Sequence, residues 1–259
     1  MAIARSNGQP LAPTAAHVRC KVAAERGERE SAFRLLHDSY THSGLIQPNP
    51  YGMRVTPYHL LPTTEMFVAL LQEQVICTVS LIGDGELGLP LEAIYPELVA
   101  ERRAAGIRFA EVSALADRRC ELERFFPIFL KLIQVMLPYS FHHGMQQALI
   151  AVHPRHARFY QRFLKFQPVG EERAYPHVSN HPAVALCLDY AWLETTHPKV
   201  FREFVGRPVP SNELRSCPIS PAERSYFEPA AQFYGDISQD PSWTRENEPA
   251  PSACDACAA

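Results

Sequence analysis

Apolar and polar residues alternate along parts of the chain as in β-strands and recur elsewhere at the three- and four-residue spacing of helices. Strands are predicted at residues 16–24, 65–72, 75–84, 108–117, 146–153, 167–178 and 182–190. Helices are predicted at residues 28–40, 94–106, 121–143 and 155–165. The two strands on either side of Glu73 and Gln74 are expected to form a β-hairpin. This order predicts one domain of the α/β or α+β class, with a mixed central sheet flanked by helices.

The segments outside this pattern have distinct compositions. Residues 41–62 are rich in turn formers but also contain leucines, tyrosines and a methionine, so we expect an ordered loop that covers a site. Residues 16–190 form the predicted domain, and residues 191–235 form a helical appendage packed on it. Residues 1–15 and 236–259 are predicted to be disordered, since the proline-rich, polar tail has little apolar material for a core.

Bulk composition excludes several classes of protein. The chain has 259 residues, of which 46% are hydrophobic and 20% charged, and these values are typical of a globular protein. A net charge of −3 gives no support to a nucleic-acid partner. A local basic surface is still compatible with this net charge. The apolar runs are shorter than the roughly 20 residues of a membrane span, and the N-terminus lacks the apolar core of a secretory signal. The seven cysteines are scattered and odd in number, so we expect a reducing, cytoplasmic location.

Metal and covalent chemistry find little support in the motifs. His153 and His156 flank a Pro-Arg pair, but their spacing matches no zinc signature, and the lone Cys-x-x-Cys, Cys254 to Cys257, lies in the predicted disordered tail. The chain has no Gly-x-Ser-x-Gly nucleophile motif and no Walker or dinucleotide-binding loop. We therefore expect no metal and no nucleotide cofactor.

A glutamate in the middle of a predicted central strand is the most conspicuous acid. In FAEVSALAD, strict alternation places Phe109, Glu111, Ser113 and Leu115 on one face and the intervening Ala110, Val112, Ala114 and Ala116 on the other. Glu111 either meets solvent or an internal water, or acts as a general base whose pKa is raised by burial. The spacing alone leaves both interpretations open.

Several motifs in order resemble a known acyltransferase fold. They are TPYHLLPTTEMFVAL, TVSLIGDGELGLPLEAIYPELVAERRAAG, RFAEVSALA and HPRHARFYQRFLKF. Together they resemble the GNAT acyltransferase fold and, within it, the N-acyl amino acid synthase family (FeeM-type), which is related to the acyl-homoserine lactone (AHL) synthases. The resemblance covers roughly residues 16–190. It implies an enzyme that transfers a long-chain fatty acyl group from acyl carrier protein to the amine of an amino acid or similar small amine.

One departure from ordinary GNAT acetyltransferases bears on the acyl donor. Those enzymes hold the pyrophosphate of CoA in a glycine-rich loop after the central strand, whereas this chain has ALADRRCELERF there, without glycine. The resemblance implies acyl carrier protein as the donor in place of CoA, with its acyl-phosphopantetheine as the co-substrate. Because acyl carrier protein is acidic, basic residues on the enzyme would dock it. The candidate docking residues are Arg118, Arg119, Arg155, Arg158, Arg162 and Lys165. An ordinary solvated basic surface would also explain part of this set.

The resemblance also implies roles for individual residues. Glu111 is the expected general base, His59 is the second candidate because it lies in the loop that covers the site, and Tyr160 is the candidate general acid. The backbone after Ser113 is expected to hold the oxyanion. The candidate substrate-binding residues are Ser113, Ala114, Leu115, His153 and Arg34. The two strands 108–117 and 146–153 should part where the thioester enters. The alternatives are a CoA-dependent acetyltransferase of the same fold and a catalytically inactive binding or regulatory protein.

Overall fold

A computed structural model describes residues 18–118, 122–211 and 213–237 of the chain. The strands are β1 (Arg19–Val22), β2 (Thr64–Leu71), β3 (Gln74–Gly83), β4 (Phe109–Asp117), β5 (Gln147–Val152), β6 (Gln167–Pro168), β7 (Arg173–Tyr175) and β8 (His181–Asp189). The helices are α1 (Arg26–His42), α2 (Pro96–Ala104), α3 (Leu122–His142), α4 (Pro154–Phe159), α5 (Tyr190–Thr196), α6 (Pro198–Phe204) and α7 (Pro221–Ile237). Outside the described residues lie residues 1–15, Arg119 and residues 238–259, so the predicted disorder at the two ends is not tested.

The strands form one mixed sheet in the order β1-β2-β3-β4-β5-β8-β6, with β7 also paired to β8. Neighbouring strands are antiparallel except for β4 and β5, which are parallel and are joined through α3. The sheet and its flanking helices confirm the predicted fold class. The hairpin between β2 and β3 is also confirmed, and its turn residues Gln72 and Glu73 have φ values of 50° and 61°, as a type I′ turn requires.

The two faces of the sheet bury different helices. One face packs against α3, α5 and α6, and alternate strand residues such as Phe67, Val79 and Ile150 point into this cluster. The other face carries α1 and α7 over one half and α2 over the other half. Within α3, the segment Phe125–His142 is long and apolar enough to cross a membrane, but 61% of it is buried inside the protein. Such burial is expected for a helix that fills the core of this fold.

The predicted strand 167–178 is wrong as a single element, because it divides into β6 and β7. The ring of Tyr95 packs against this break: an added Cβ at Gly170 would lie 2.6 Å from a Tyr95 ring carbon. The Tyr95 hydroxyl donates a hydrogen bond of 2.9 Å to the Ala183 carbonyl of β8. The Tyr95 side chain therefore packs closely against the backbone between β6 and β7 and is tied to β8.

The segment after β8 packs on the domain through both apolar and charged contacts. Phe227 of α7 is fully buried, and its ring meets Phe33 of α1 edge-on with the ring centres 5.0 Å apart. A buried ion pair of 2.6 Å joins Arg29 of α1 to Glu223 of α7. Glu65 of β2 accepts a hydrogen bond of 3.0 Å from the Cys217 backbone N–H. In the described part of this segment, α5 and α6 thus lie on the α3 face of the sheet, and α7 covers the α1 side.

Candidate active site

Glu111 lies in the middle of β4 on the face that carries α1 and α2, and it is 1% exposed. Its Oε2 accepts a hydrogen bond of 2.8 Å from the Leu91 backbone N–H, and the Ser113 hydroxyl also donates to the carboxyl group. Burial raises the pKa of Glu111 to about 8, although these two hydrogen bonds oppose the shift. The side chain is therefore a buried acid whose protonation changes near neutral pH.

The strands β4 and β5 part immediately after Glu111. Their parallel pairing joins Phe109 to Gln147, Ala110 to Ala148 and Glu111 to Leu149, and then it stops. Both strands continue beyond that point, as far as Asp117 and Val152. The separation predicted from the sequence is confirmed, and it begins at the buried carboxyl group.

A β-bulge in β4 lies next to this separation. Ser80 of β3 pairs with Ser113 and Thr78 pairs with Ala116, so Ala114 and Leu115 share one partner position. Ala114 has a φ of 54°, a value that residues other than glycine seldom adopt.

The bulge makes the predicted alternation wrong beyond Ser113. Ala114 and Ala116 pack with the α1 cluster, whereas Leu115 packs with α3 on the opposite face. Of the residues predicted to share a face with Glu111, Phe109 and Ser113 do and Leu115 does not.

His59 lies in a short 3-10 turn of the loop between α1 and β2 and is 5% exposed. Its Nδ1 accepts a hydrogen bond of 3.0 Å from the Thr56 backbone N–H, which places the ring proton on Nε2. Burial, assisted by the positive charge of Arg54, lowers the pKa of His59 to about 3. The imidazole is therefore neutral and offers a buried N–H donor at Nε2, which has no partner among the described residues. This geometry favours Glu111 over His59 as the proton acceptor.

Other polar side chains surround the same region, none of which was predicted from the sequence. Arg54 of the loop is 7% exposed, and its guanidinium lies over the ring of Tyr40 with Cζ 4.4 Å from the ring centre. The rings of Tyr175 and His177 meet edge-on with their centres 5.4 Å apart, and His177 in turn lies 6.5 Å from Tyr58. We call Tyr40, Arg54, Tyr58, His59, Glu111, Tyr175 and His177 the polar cluster. The sequence offered one signal of this cluster: Arg54 stands between the apolar residues Met53 and Val55.

Tyr160 and His153 follow β5; His153 is not a member of the polar cluster, whereas the Tyr160 hydroxyl interacts electrostatically with Tyr40 of that cluster. Tyr160 starts a π-helical turn and packs among Phe129, Phe159 and Phe166 on the α3 face. Burial raises the pKa of its hydroxyl well above the ordinary value. His153 caps α4, and its Nδ1 accepts a hydrogen bond of 3.3 Å from the Arg155 backbone N–H.

Arg34 also lies apart from the polar cluster. It occupies the exposed side of α1, where its guanidinium forms an ion pair of 2.8 Å with Glu30. Within the described ranges, no group of three His, Cys, Asp or Glu side chains is arranged to bind a metal.

The described candidates for carrier-protein docking lie on the surface. Arg118, Arg155, Arg158 and Arg162 are exposed, and Arg119 lies outside the described residues. An open groove on α4 and the following turn is lined by Arg158, Phe159, Gln161, Arg162 and Phe163. Phe163 is 47% exposed, so this basic surface also presents an aromatic side chain.

The chain matches one protein family and several solved structures. The model of the family described as N-acyl amino acid synthase FeeM matches residues 31–189, more than half of the chain. The structure of FeeM, an N-acyl amino acid synthase from uncultured soil microbes, is 25% identical, with a TM-score of 0.60, and the match covers 73% of this chain and 94% of that one. No curated protein matches the chain significantly.

Two AHL synthases share the fold. LasI is 15% identical with a TM-score of 0.56, and the match covers 74% of this chain and 96% of LasI. BjaI, a CoA-dependent AHL synthase determined with SAM and isopentyl-CoA, is 17% identical with a TM-score of 0.53, and the match covers 82% of this chain and 98% of BjaI. At these identities the likeness extends to the fold alone.

Proposed function

Since the chain belongs to the FeeM family of N-acyl amino acid synthases, we propose that this acyltransferase moves a long-chain fatty acyl group from acyl carrier protein to the amine of an amino acid. The observation that carries the proposal is the position of Glu111: a buried carboxyl group, with its pKa raised to about 8, lies where β4 and β5 separate. A thioester inserted between the strands would bring its carbonyl carbon next to that carboxyl group. The amine would arrive from the polar cluster.

The reaction is a direct transfer without an acyl-enzyme intermediate. The acceptor binds as an ammonium ion, and Glu111, directly or through a water molecule, removes one proton so that the nitrogen lone pair can attack the carbonyl carbon. The carbonyl oxygen becomes an oxyanion, which backbone N–H groups of the bulge after Ser113 would stabilise. When the carbon–sulfur bond breaks, the positively charged nitrogen of the intermediate loses its second proton, and the thiolate takes a proton and leaves as the carrier's thiol. Tyr160 remains the candidate donor of that proton.

Two features support acyl carrier protein as the donor. The segment after β4 has no glycine, so the usual backbone cradle for the CoA pyrophosphate is missing from the sequence. Arg155, Arg158 and Arg162 present exposed positive charge on α4 and its following turn, which lies next to the end of β5. Electrostatic attraction between such a surface and an acidic partner speeds association and fixes orientation.

Expression in a bacterium followed by mass spectrometry of lipid extracts tests the activity, and new N-acyl amino acids are the expected products. The donor is then tested with purified protein, by comparing palmitoyl carrier protein with palmitoyl-CoA. The carrier-protein donor should give the higher kcat/KM, and added salt should weaken its use because salt screens charge attraction. Equal or better use of acetyl-CoA would identify a CoA-dependent acetyltransferase. No product from any thioester would identify an inactive member of the fold.

Charge reversal separates docking from catalysis. Arg158→Glu and Arg162→Glu should each raise the KM for the carrier-protein donor and leave kcat nearly unchanged. The matched control is Arg19→Glu, which reverses an exposed arginine on β1, at the opposite end of the sheet from β8. An equal effect of all three variants would contradict a docking surface on α4.

A further inference from the structure

Arg54 is a buried cation without a counterion in the described part of the chain. The side chain is 7% exposed, and the Arg54 backbone N–H donates a hydrogen bond of 2.9 Å to the Phe33 carbonyl of α1, which fixes the position of the loop. The guanidinium lies 4.4 Å from the ring centre of Tyr40, and its buried Nε has no hydrogen-bond partner among the described residues. Burying an unpaired charge is costly, and a bound anion beside the guanidinium would offset that cost.

A second buried donor contacts the same residue, Phe33, whose carbonyl accepts from the Arg54 N–H and whose ring meets the His59 ring edge-on with the centres 5.2 Å apart. The Nε2 of His59 is also buried without a partner among the described residues, and the ring is held by Thr56 so that Nε2 carries the proton. Burial, assisted by the positive charge of Arg54, lowers the pKa of both His59 and His177, so both rings stay neutral. One fixed positive charge and an unused N–H group therefore lie together in a buried region.

The general base lies close to the same region. Burial raises the pKa of the Tyr40 and Tyr175 hydroxyls; the negative charge of Glu111 adds to the rise in both, and the positive charge of Arg54 opposes it. Tyr40 is also the ring over which the Arg54 guanidinium lies. A small molecule with a negative group beside Arg54 and an ammonium group beside Glu111 would complement both ends of this region. In an α-amino acid, these two groups are attached to the same carbon.

We propose that Arg54 binds the carboxylate of the acceptor, with the Nε2–H of His59 as a second donor, and that this contact directs the amine of the acceptor toward Glu111. The proposal rests on the proposed function and narrows its acceptor to an amino acid with a free carboxylate. An amine without a carboxylate would leave the guanidinium buried and unpaired. Sites built around such a polar contact reject analogues that lack it by about 10⁴-fold or more.

The test uses amino acids and the amines that lack only the carboxylate. The purified full-length protein is assayed with phenylalanine and phenethylamine, tyrosine and tyramine, and leucine and isopentylamine, with the same acyl thioester throughout. In any pair that gives product, the unaltered protein should use the amino acid with a kcat/KM about 10⁴-fold higher than that of the matching amine. Arg54→Met should raise the KM for the amino acid by a similar factor and leave the amine nearly unaffected. Arg202→Met, at an exposed position of α6, is the matched control and should preserve the preference.

A melting curve on the same preparations distinguishes binding from a structural role. If Arg54 is held unpaired for a substrate, Arg54→Met should keep or raise the melting temperature, because the uncompensated buried charge is gone. Should Arg54→Met fail to fold, Arg54→Lys is the second variant, because it keeps the positive charge but lacks the planar guanidinium. It should lower kcat/KM for the amino acid and leave kcat/KM for the matching amine unchanged.

Two results would overturn the inference while product still forms. One is equal use of an amino acid and its amine by the unaltered protein. The other is an equal loss with both acceptors in the Arg54 variants. No product from any acceptor would instead overturn the proposed function, and the inference with it.

Discussion

Glu111 is 1% exposed within an apolar strand, so its two protonation states differ greatly in solvation energy. Glu111→Gln preserves the shape of the side chain and its ability to accept from the Leu91 N–H, but it removes the base. We expect turnover to fall by about 10²–10⁴-fold, the usual range for loss of a general base, while the fold is kept. The control is Glu101→Gln on the exposed side of α2, which should have no effect. Product formation and a melting curve are measured on the same preparation. Near-normal turnover would show that solvent, and not Glu111, accepts the proton. Loss of the fold would show that Glu111 is a structural hydrogen-bond acceptor.

The raised pKa of Glu111 predicts how stability depends on pH. The ordinary carboxyl pKa is 4.5 and the folded-state value is about 8, so the folded protein holds this proton more tightly than the unfolded chain. The resulting stability is fully present below about pH 4.5 and is lost as the pH rises through about 8. The melting temperature of the unaltered protein should therefore fall relative to that of Glu111→Gln between pH 5 and pH 8.5. A constant difference across this range would show that Glu111 titrates normally.

At the scale of the element, the bulge of β4 is the unusual feature. Ala114 has a φ of 54° and is 2% exposed, so a β-branched side chain there meets both backbone strain and tight packing. Ala114→Val should destabilise the protein by about 1–2 kcal/mol more than Ala116→Val, which changes a buried alanine of the same cluster outside the bulge. Urea denaturation measures the difference. Equal costs for the two variants would mean that the backbone at the bulge relaxes without strain.

At the scale of the whole molecule, the segment after β8 is tied to the domain by an ion pair between α1 and α7. The side chains of Arg29 and Glu223 are 6% and 13% exposed, whereas those of the Arg19–Glu73 pair are 58% and 81% exposed. Breaking a buried pair typically costs about 3–5 kcal/mol, and an exposed pair contributes at most about 1 kcal/mol. Arg29→Met should therefore lower stability far more than Arg19→Met, and it should speed proteolysis of the C-terminal segment. Similar stability losses in the two variants would show that α7 adds little to the fold.

The order of strands and helices and the position of the central acid could be predicted from the sequence. Strand and helix periodicities depend on residues close together in the chain, and a glutamate within an apolar strand is visible without any distant contact. The ordered series of motifs also carried the family resemblance, which the match over residues 31–189 confirms. The separation of β4 and β5 was expected from that resemblance rather than from local periodicity, and their pairing stops after Glu111.

Tertiary structure alone determined the composition of the polar cluster. Tyr40, Arg54 and Tyr175 come from α1, a long loop and β7, and their proximity depends on how these elements pack rather than on any spacing in the chain. The bulge depends on the pairing of β4 with β3, and it reversed the predicted face of Leu115. Arg34, which the sequence offered as a substrate contact, lies on the exposed side of α1, whereas Arg54 is buried. Whether an arginine is solvated or desolvated is decided by the neighbours that exclude water from it, and those neighbours are distant in sequence.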